Sequence, residues 1–137
     1  MHDHLLGDRS LEAGILNNIG DIYSGLGKKQ EALEYFNQAL SISRAVGKRR
    51  LEAATLDNIG AVYSNLGENR KALEYLNQTL SIRRTLGDRS GEAMTLTSIG
   101  LIYSNLSENQ KALEYLNQAL PLRDKPKNIT PVIVEQL

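Results

Sequence analysis

The side chains able to do acid–base or metal chemistry are few and poorly placed for it. The only histidines of the 137 residues, His2 and His4, flank Asp3 at the start of the chain. A His-Asp-His run beside a free amine could hold copper or nickel weakly, but a frayed terminus is the simpler expectation. No serine or lysine has a histidine nearby in sequence to serve as its base. Cysteine is absent, which excludes disulfides, thiol nucleophiles and Cys-ligated zinc. Glu12, Glu52 and Glu92 recur at a fixed spacing, as do Glu34, Glu74 and Glu114 and the arginines Arg9, Arg49 and Arg89. Catalysis seldom needs one group three times over, so these read as structural pairs or solvated positions. No glycine loop of the kind that cradles phosphate is present. The expectation is no enzyme, no cofactor and no metal.

These residues recur because whole units recur. Shifting the sequence by 40 residues superposes Gly7, Gly47 and Gly87, then Ile19-Gly20, Ile59-Gly60 and Ile99-Gly100, then Tyr23, Tyr63 and Tyr103. Ala-Leu-Glu-Tyr begins at 32, 72 and 112, and Asn-Gln at 37, 77 and 117. Residues 7–46 and 47–86 agree at 23 of 40 positions, and 47–86 and 87–126 at 24 of 40, far above chance. Such a period marks a repeat architecture in which each unit buries its apolar face on the next.

Within a unit the pattern is helical. Leu16, Ile19, Gly20 and Tyr23 fall at i, i+3, i+4 and i+7, one stripe of a helix predicted from about Ser10 to Leu26. Gly27 interrupts it, and in the second unit Gly67-Glu68-Asn69 does so, with Asn69 and Asn109 expected as N-caps of the second helices. The second helix carries Ala32, Phe36, Ala39 and Ser43 on one face, with Leu33 and Leu40 beside them. That surface is wide enough to pack on its own partner and on the following unit. Gly47 and Gly87 should end this helix with a left-handed cap, and Asp8 and Asp88 should cap the next first helix, where Lys48 breaks the pattern. Gly20, Gly60 and Gly100 sit mid-helix, where glycine costs about 1 kcal/mol relative to alanine. Three at one phase point to close approach of two helices, with Ala32 and its equivalents opposite and the tyrosines filling the wider gap.

Leu16, Ile19-Gly20, Tyr23, Ala32, Phe36 and Ala39, with their counterparts 40 and 80 residues on, resemble the signature of the tetratricopeptide repeat. Leucine stands where that family often has tryptophan, and Arg44 and Arg84 stand where it often has a helix-ending proline. The second helix should therefore run longer, giving a period of 40 in place of the usual ~34. This longer form is similar to the repeats of kinesin light chains, of spindle-orientation adaptors and of many bacterial multidomain proteins. The resemblance covers about residues 7–120. It implies an all-α fold, a right-handed superhelical α-solenoid of three antiparallel helix-turn-helix units at 7–46, 47–86 and 87–120. Residues 1–6 would then be a remnant of a preceding unit or disordered, and 121–137 a non-repeat C-terminal tail, since Pro121 kinks or stops the last helix.

The resemblance also implies that the first helices line a concave groove. Counting away from the core stripe, their exposed sides offer Asn17, Asn18 and Asp21, then Asp57, Asn58 and Asn65, then Thr97, Ser98, Leu101 and Asn105. Amides donate and accept together, as gripping an extended peptide backbone requires. By resemblance, Asn18 and Asn58 match asparagines that hold a ligand's backbone, a pattern from which Ser98 departs. No lysine or arginine stands at the most inward positions, so a carboxylate clamp is not expected. A ligand with basic or neutral polar groups near Asp21 and Asp57 and an apolar one near Leu101 fits better.

The leading expectation is a protein–protein interaction module that binds a peptide or protein partner in this groove as part of a larger scaffold. The alternative is a structural segment that oligomerises head-to-tail through uncapped ends, with Leu113, Leu116 and Leu120 forming an open apolar face. Ile129 to Val134 is apolar enough to cover that face, in its own chain or a neighbour's. Sixteen basic and sixteen acidic residues balance to zero, which disfavours nucleic acid and anionic membranes as partners. No apolar run approaches the ~20 residues of a membrane-spanning helix, and no secretory signal opens the chain, so the cytoplasm is the expected compartment.

Overall fold

In the computed structural model the backbone is described for residues 2–123 and the side chains for residues 7–123. Six α-helices follow in order: α1 (His2–Gly25), α2 (Lys29–Ala45), α3 (Arg49–Asn65), α4 (Asn69–Thr85), α5 (Arg89–Asn105) and α6 (Asn109–Ala119). Pro121 lies in a 3-10 turn, Leu120–Leu122, that ends the last helix. The tail from 124 onward lies outside the described residues, as do the side chains of His2 and His4.

The turns explain where the helices stop. Gly27, Gly47, Gly67 and Gly87 take φ of 78°, 73°, 77° and 69°, and Ser107 takes 62° at the same phase of the third unit. The next amide then closes back on the helix, Lys28 N–H to the Tyr23 carbonyl and Lys48 N–H to the Ser43 carbonyl, both at 2.9 Å. This is the Schellman arrangement, which satisfies carbonyls the helix end leaves open. Among the described residues Ser107 alone meets the left-handed conformation with a Cβ. Ser107→Gly is expected to raise stability by about 1 kcal/mol, read as a higher Tm in a thermal melt.

Helix starts depart from expectation in three places. Asp88 does cap α5, its carboxylate accepting from Gly91 N–H at 3.0 Å. Asn69 and Asn109, however, are already the first helical residues of α4 and α6; the cap positions belong to Glu68 and Glu108, whose side chains make no cap bond. The left-handed turn sets this register, because Glu68 gives its N–H to Tyr63 while its carbonyl accepts from Ala72. Asp8 is no cap either, since α1 starts ahead of Ser10 and runs on through Gly7. At Gly47 and Gly87 the chain reverses between packed helices; at Gly7 it does not.

α1 packs on α2, α3 on α4 and α5 on α6, and each second helix also packs on the next first helix. Two clusters form the spine. One joins Leu33, Phe36 and Leu40 of α2 to Leu56, Ile59 and Val62 of α3; the other joins Leu76 and Leu80 of α4 to Leu96, Ile99 and Ile102 of α5. The result is an α-solenoid of helix-turn-helix repeats whose two core clusters both pack against the half-buried Tyr63. The mid-helix glycines make the close contacts. A Cβ on Gly20 would lie 2.6 Å from the Phe36 ring and 3.2 Å from the Ala32 carbonyl, whereas one on Gly60 would lie 3.1 Å from Leu76. Gly20→Ala is expected to lower stability by about 1–2 kcal/mol, overpacking outweighing the helix-propensity gain. Adding Phe36→Leu, the residue type of units two and three, should recover most of that loss in a denaturant melt.

Charged residues tie the units together. Glu52 is buried on α3 and accepts from Arg44 of α2 at 3.1 Å and from Arg49 at 2.8 Å. Arg44 reaches on to Gln78 of α4 at 2.9 Å. The set repeats one unit later, Arg84 meeting Glu92 at 2.9 Å and Gln118 at 3.3 Å. The arginines that replace a helix-ending proline thus lie on the lengthened part of α2 and α4 and bind the next unit. Paired tyrosines stack beside the turns, Tyr23 on Tyr35, Tyr63 on Tyr75 and Tyr103 on Tyr115, with centroids 5.4, 5.6 and 5.5 Å apart.

Candidate binding groove

The first helices present their polar sides in register because each is offset from the last by one repeat. Between α3 and α5 lies an open groove of about 360 Å³. Its floor is Gly60, Leu76 and Ile102, and its walls carry Asp57, Asn58, Ala61, Asn65, Ser98, Leu101 and Asn105. Six residues expected from the sequence therefore meet in one place: Asp57, Asn58, Asn65, Ser98, Leu101 and Asn105. Gly60 opens that floor, since its missing side chain lets Leu76 approach from α4. Asn65 and Asn105 are exposed at one end, and Leu101, 53% exposed, projects between them and Ser98. The combination can hydrogen-bond a backbone at its rim and take an apolar side chain at its centre.

The other expected residues have different surroundings. Asn17 is half-buried at the seam between units one and two, where its side-chain oxygen accepts from Thr55 Oγ1 at 3.2 Å and Asn58 Nδ2 at 3.1 Å. Asn58 is therefore partly engaged within the chain. Asn18 and Asp21 are exposed on α1, away from the α3–α5 groove. Thr97 donates to the Ala93 carbonyl at 2.9 Å and Ser98 to that of Met94 at 3.1 Å, so both hydroxyls are turned back on their own helix. Thr97 also lines a separate cavity at the α5–α6 end.

Asp57 is the position whose environment the sequence does not disclose. It is paired with Arg83 of α4 at 3.2 Å. Arg83 also donates to the Gly91 carbonyl at 3.2 Å and Thr95 Oγ1 at 2.9 Å, so it joins α3, α4 and α5. Burial holds the Asp57 carboxyl above the ordinary aspartate value, with the Arg83 charge and hydrogen bond opposing but not cancelling that push. Asp57 is thus not a free anion awaiting a basic ligand, and the groove is less acidic than the first-helix residues alone suggest. The missed signal was a paired change: Ser43 and Leu51 at one seam become Arg83 and Gly91 at the next. A Cβ on Gly91 would lie 2.7 Å from Arg83 Cδ, so the glycine makes room for the arginine.

Residues 11–85 and 51–125 match the tetratricopeptide repeat. The chain belongs to the tetratricopeptide repeat family. Among solved structures it is similar to the TPR domain of Arabidopsis FLU, with a TM-score of 0.76 and 19% identity over 82% of this chain and 95% of that one. It is also similar to BtubC (BKLC) from P. vanneervenii, with a TM-score of 0.75 and 22% identity over 86% of this chain and 52% of that one. A third is the set of nearly identical TPR-like repeats of a kinesin-light-chain-like protein of Podosopora anserina, with a TM-score of 0.71 and 19% identity over 93% of this chain and 62% of that one. At these identities the likeness is one of fold. The chain spans about half of BtubC and under two thirds of the Podosopora repeats. No curated protein sequence matches it significantly. Tetratricopeptide arrays are generally protein–protein interaction modules and typically non-enzymatic scaffolds. Among the described residues no helix is long and apolar enough to cross a membrane, and no cluster of three or more His, Cys, Asp or Glu could hold a metal ion.

Proposed function

We propose that this tetratricopeptide array binds an extended peptide, or an extended segment of a protein, along the first-helix face, centred on the groove between α3 and α5. The observation that carries this reading is the convergence of Asn58, Asn65 and Asn105 around an apolar centre of Ala61 and Leu101. Amides at the rim suit the alternating N–H and C=O groups of an extended backbone, and the exposed leucine suits one apolar ligand side chain. Because Arg83 neutralises Asp57, a neutral ligand segment fits better than a basic one at that point. Asn18 and Asp21 extend the face along α1, where a ligand residue with a basic or neutral polar group is accommodated. The module acts within a larger scaffold, a reading supported by the repeat's general role.

The test is selection of binders from a random-peptide display library on the immobilised chain, followed by affinity measurement on variants. Leu101→Asp with Asn65→Ala is expected to weaken the selected peptides at least tenfold, about 1.4 kcal/mol or more. Leu120→Asp, outside the groove, should leave them unchanged. Peptides that bind the groove variant as tightly as the parent chain would sink the proposal.

A further inference from the structure

Asn17 stands where the sequence expects a ligand contact, yet its side chain faces the next unit. Its Oδ1 accepts from two donors of α3 at once, Thr55 Oγ1 at 3.2 Å and Asn58 Nδ2 at 3.1 Å. Thr55 sets the direction of both bonds. It is fully buried, and a buried hydroxyl left without an acceptor is costly. Its counterpart Thr95 gives its proton to the Gly91 carbonyl of its own helix at 2.9 Å, and Thr79 gives its proton to the Tyr75 carbonyl at 3.1 Å. Thr55 gives its proton to Asn17 instead. Asn17 must therefore turn its oxygen toward α3, and Asn58 can meet that oxygen only with its nitrogen.

Asn58 also lines the groove between α3 and α5. α1 packs on α3 from one side, and the groove opens on the other. A carboxamide carries its nitrogen and its oxygen on opposite edges. With Nδ2 held toward α1, Oδ1 lies on the edge nearer the groove, where it acts as an acceptor. The other polar groups of the groove are not oriented in this way. Asn65 and Asn105 are exposed, so either edge of their amides can meet a ligand. One unit on, Asp57 stands at the phase of Asn17 and is paired with Arg83, while Ser98 stands at the phase of Asn58 and donates to its own helix.

We propose that Asn17 is a positioning residue for the groove, relaying the orientation of the buried Thr55 hydroxyl to Asn58 so that Asn58 Oδ1 receives a backbone N–H of the ligand. This rests on the groove reading above and adds a hydrogen-bond polarity to it. The ligand must bring an unsubstituted backbone amide to this point. Proline or an N-alkylated residue is disfavoured there, since neither has the proton.

An amide-to-ester scan of a library-selected peptide tests this, each ester replacing one backbone N–H by oxygen. On the parent chain one ester should weaken binding about tenfold. On Asn58→Ala the same ester should cost under about threefold, because its acceptor is gone. Asn17→Ala should lower the penalty in the same way, since Asn58 can then turn either edge to the groove. Thr55→Val, which removes the orienting proton with little change of shape, should lower it as well. Asn17→Asp still accepts from Thr55 and Asn58 and should restore the full penalty. A merely structural role for Asn17 would weaken the amide and ester peptides alike and leave their ratio unchanged. The inference is overturned, with the groove left standing, by an ester penalty that is the same on the parent chain and Asn58→Ala. A penalty that survives in both Asn17→Ala and Thr55→Val, or is lost in Asn17→Asp, overturns it too. Peptides unaffected by Leu101→Asp with Asn65→Ala would overturn the groove itself and this inference with it.

Discussion

Ile102→Ala is expected to lower the unfolding free energy by about 3 kcal/mol, whereas Ile22→Ala, at the same phase of the repeat, should change it by under about 0.5 kcal/mol. Both residues lie on first helices, and both stand two positions after the mid-helix glycine. Ile102 is 3% exposed in the cluster with Leu76, Leu80 and Leu96, so truncation removes transfer free energy and leaves a cavity that packed neighbours fill only in part. Ile22 is 64% exposed and loses little by being shortened. Urea unfolding would measure both. Equal effects at the two positions would contradict the view that stability comes from the contacts between successive units.

Arg83→Ala is expected to cost about 3 kcal/mol. Arg83 is 13% exposed and is shared among Asp57, Gly91 and Thr95, with Asp88 at 4.0 Å, so its loss leaves a largely buried carboxylate without its cation, while Thr95 Oγ1 still donates to the Gly91 carbonyl at 2.9 Å. Asp57→Asn should be far milder, within about 1 kcal/mol, because an amide oxygen still accepts from Arg83. The asymmetry is a consequence of which partner is left alone. The pH dependence follows with a definite sign. Because the Asp57 carboxyl sits above its unfolded value, the folded chain retains a proton the unfolded chain has lost in the window between the two values. The residue's contribution to stability is therefore full below that window and declines as pH rises through it. Asp57→Asn should remove that decline, and the penalty of Arg83→Ala should shrink as pH falls and Asp57 takes up its proton. Thermal melts of the three chains across the acidic range would check each point.

Much of the fold was legible in the sequence because a repeat states its contacts three times. The glycine stripe predicted close helix approach, and a Cβ added at Gly20, Gly60 or Gly100 would lie only 2.6–3.1 Å from the facing side chain. The lengthened second helix followed from Arg44 and Arg84 in place of a proline, and α2 and α4 do continue through them. What a period cannot reveal is a residue that breaks it. Arg83 replaces a serine on a second helix, so counting outward from the first-helix core stripe never reached it, although its partner Asp57 was found. Asn17 and Asn58 look alike along the stripe, yet they hydrogen-bond each other across a seam because α1 and α3 approach there. Caps failed for a local reason: the left-handed turn moves the helix start by one residue, placing Asn69 and Asn109 inside it.

Ligand binding on the first-helix face between α3 and α5 is open to direct observation. Chemical-shift mapping tests it most directly, with a library-selected peptide titrated into the isotope-labelled chain. The largest shifts should fall on Ala61, Asn65, Ser98, Leu101 and Asn105, with the side-chain amides of Asn65 and Asn105 among them. Shifts confined to α2 and α4, or to the Leu113 and Leu120 face of α6, would contradict it.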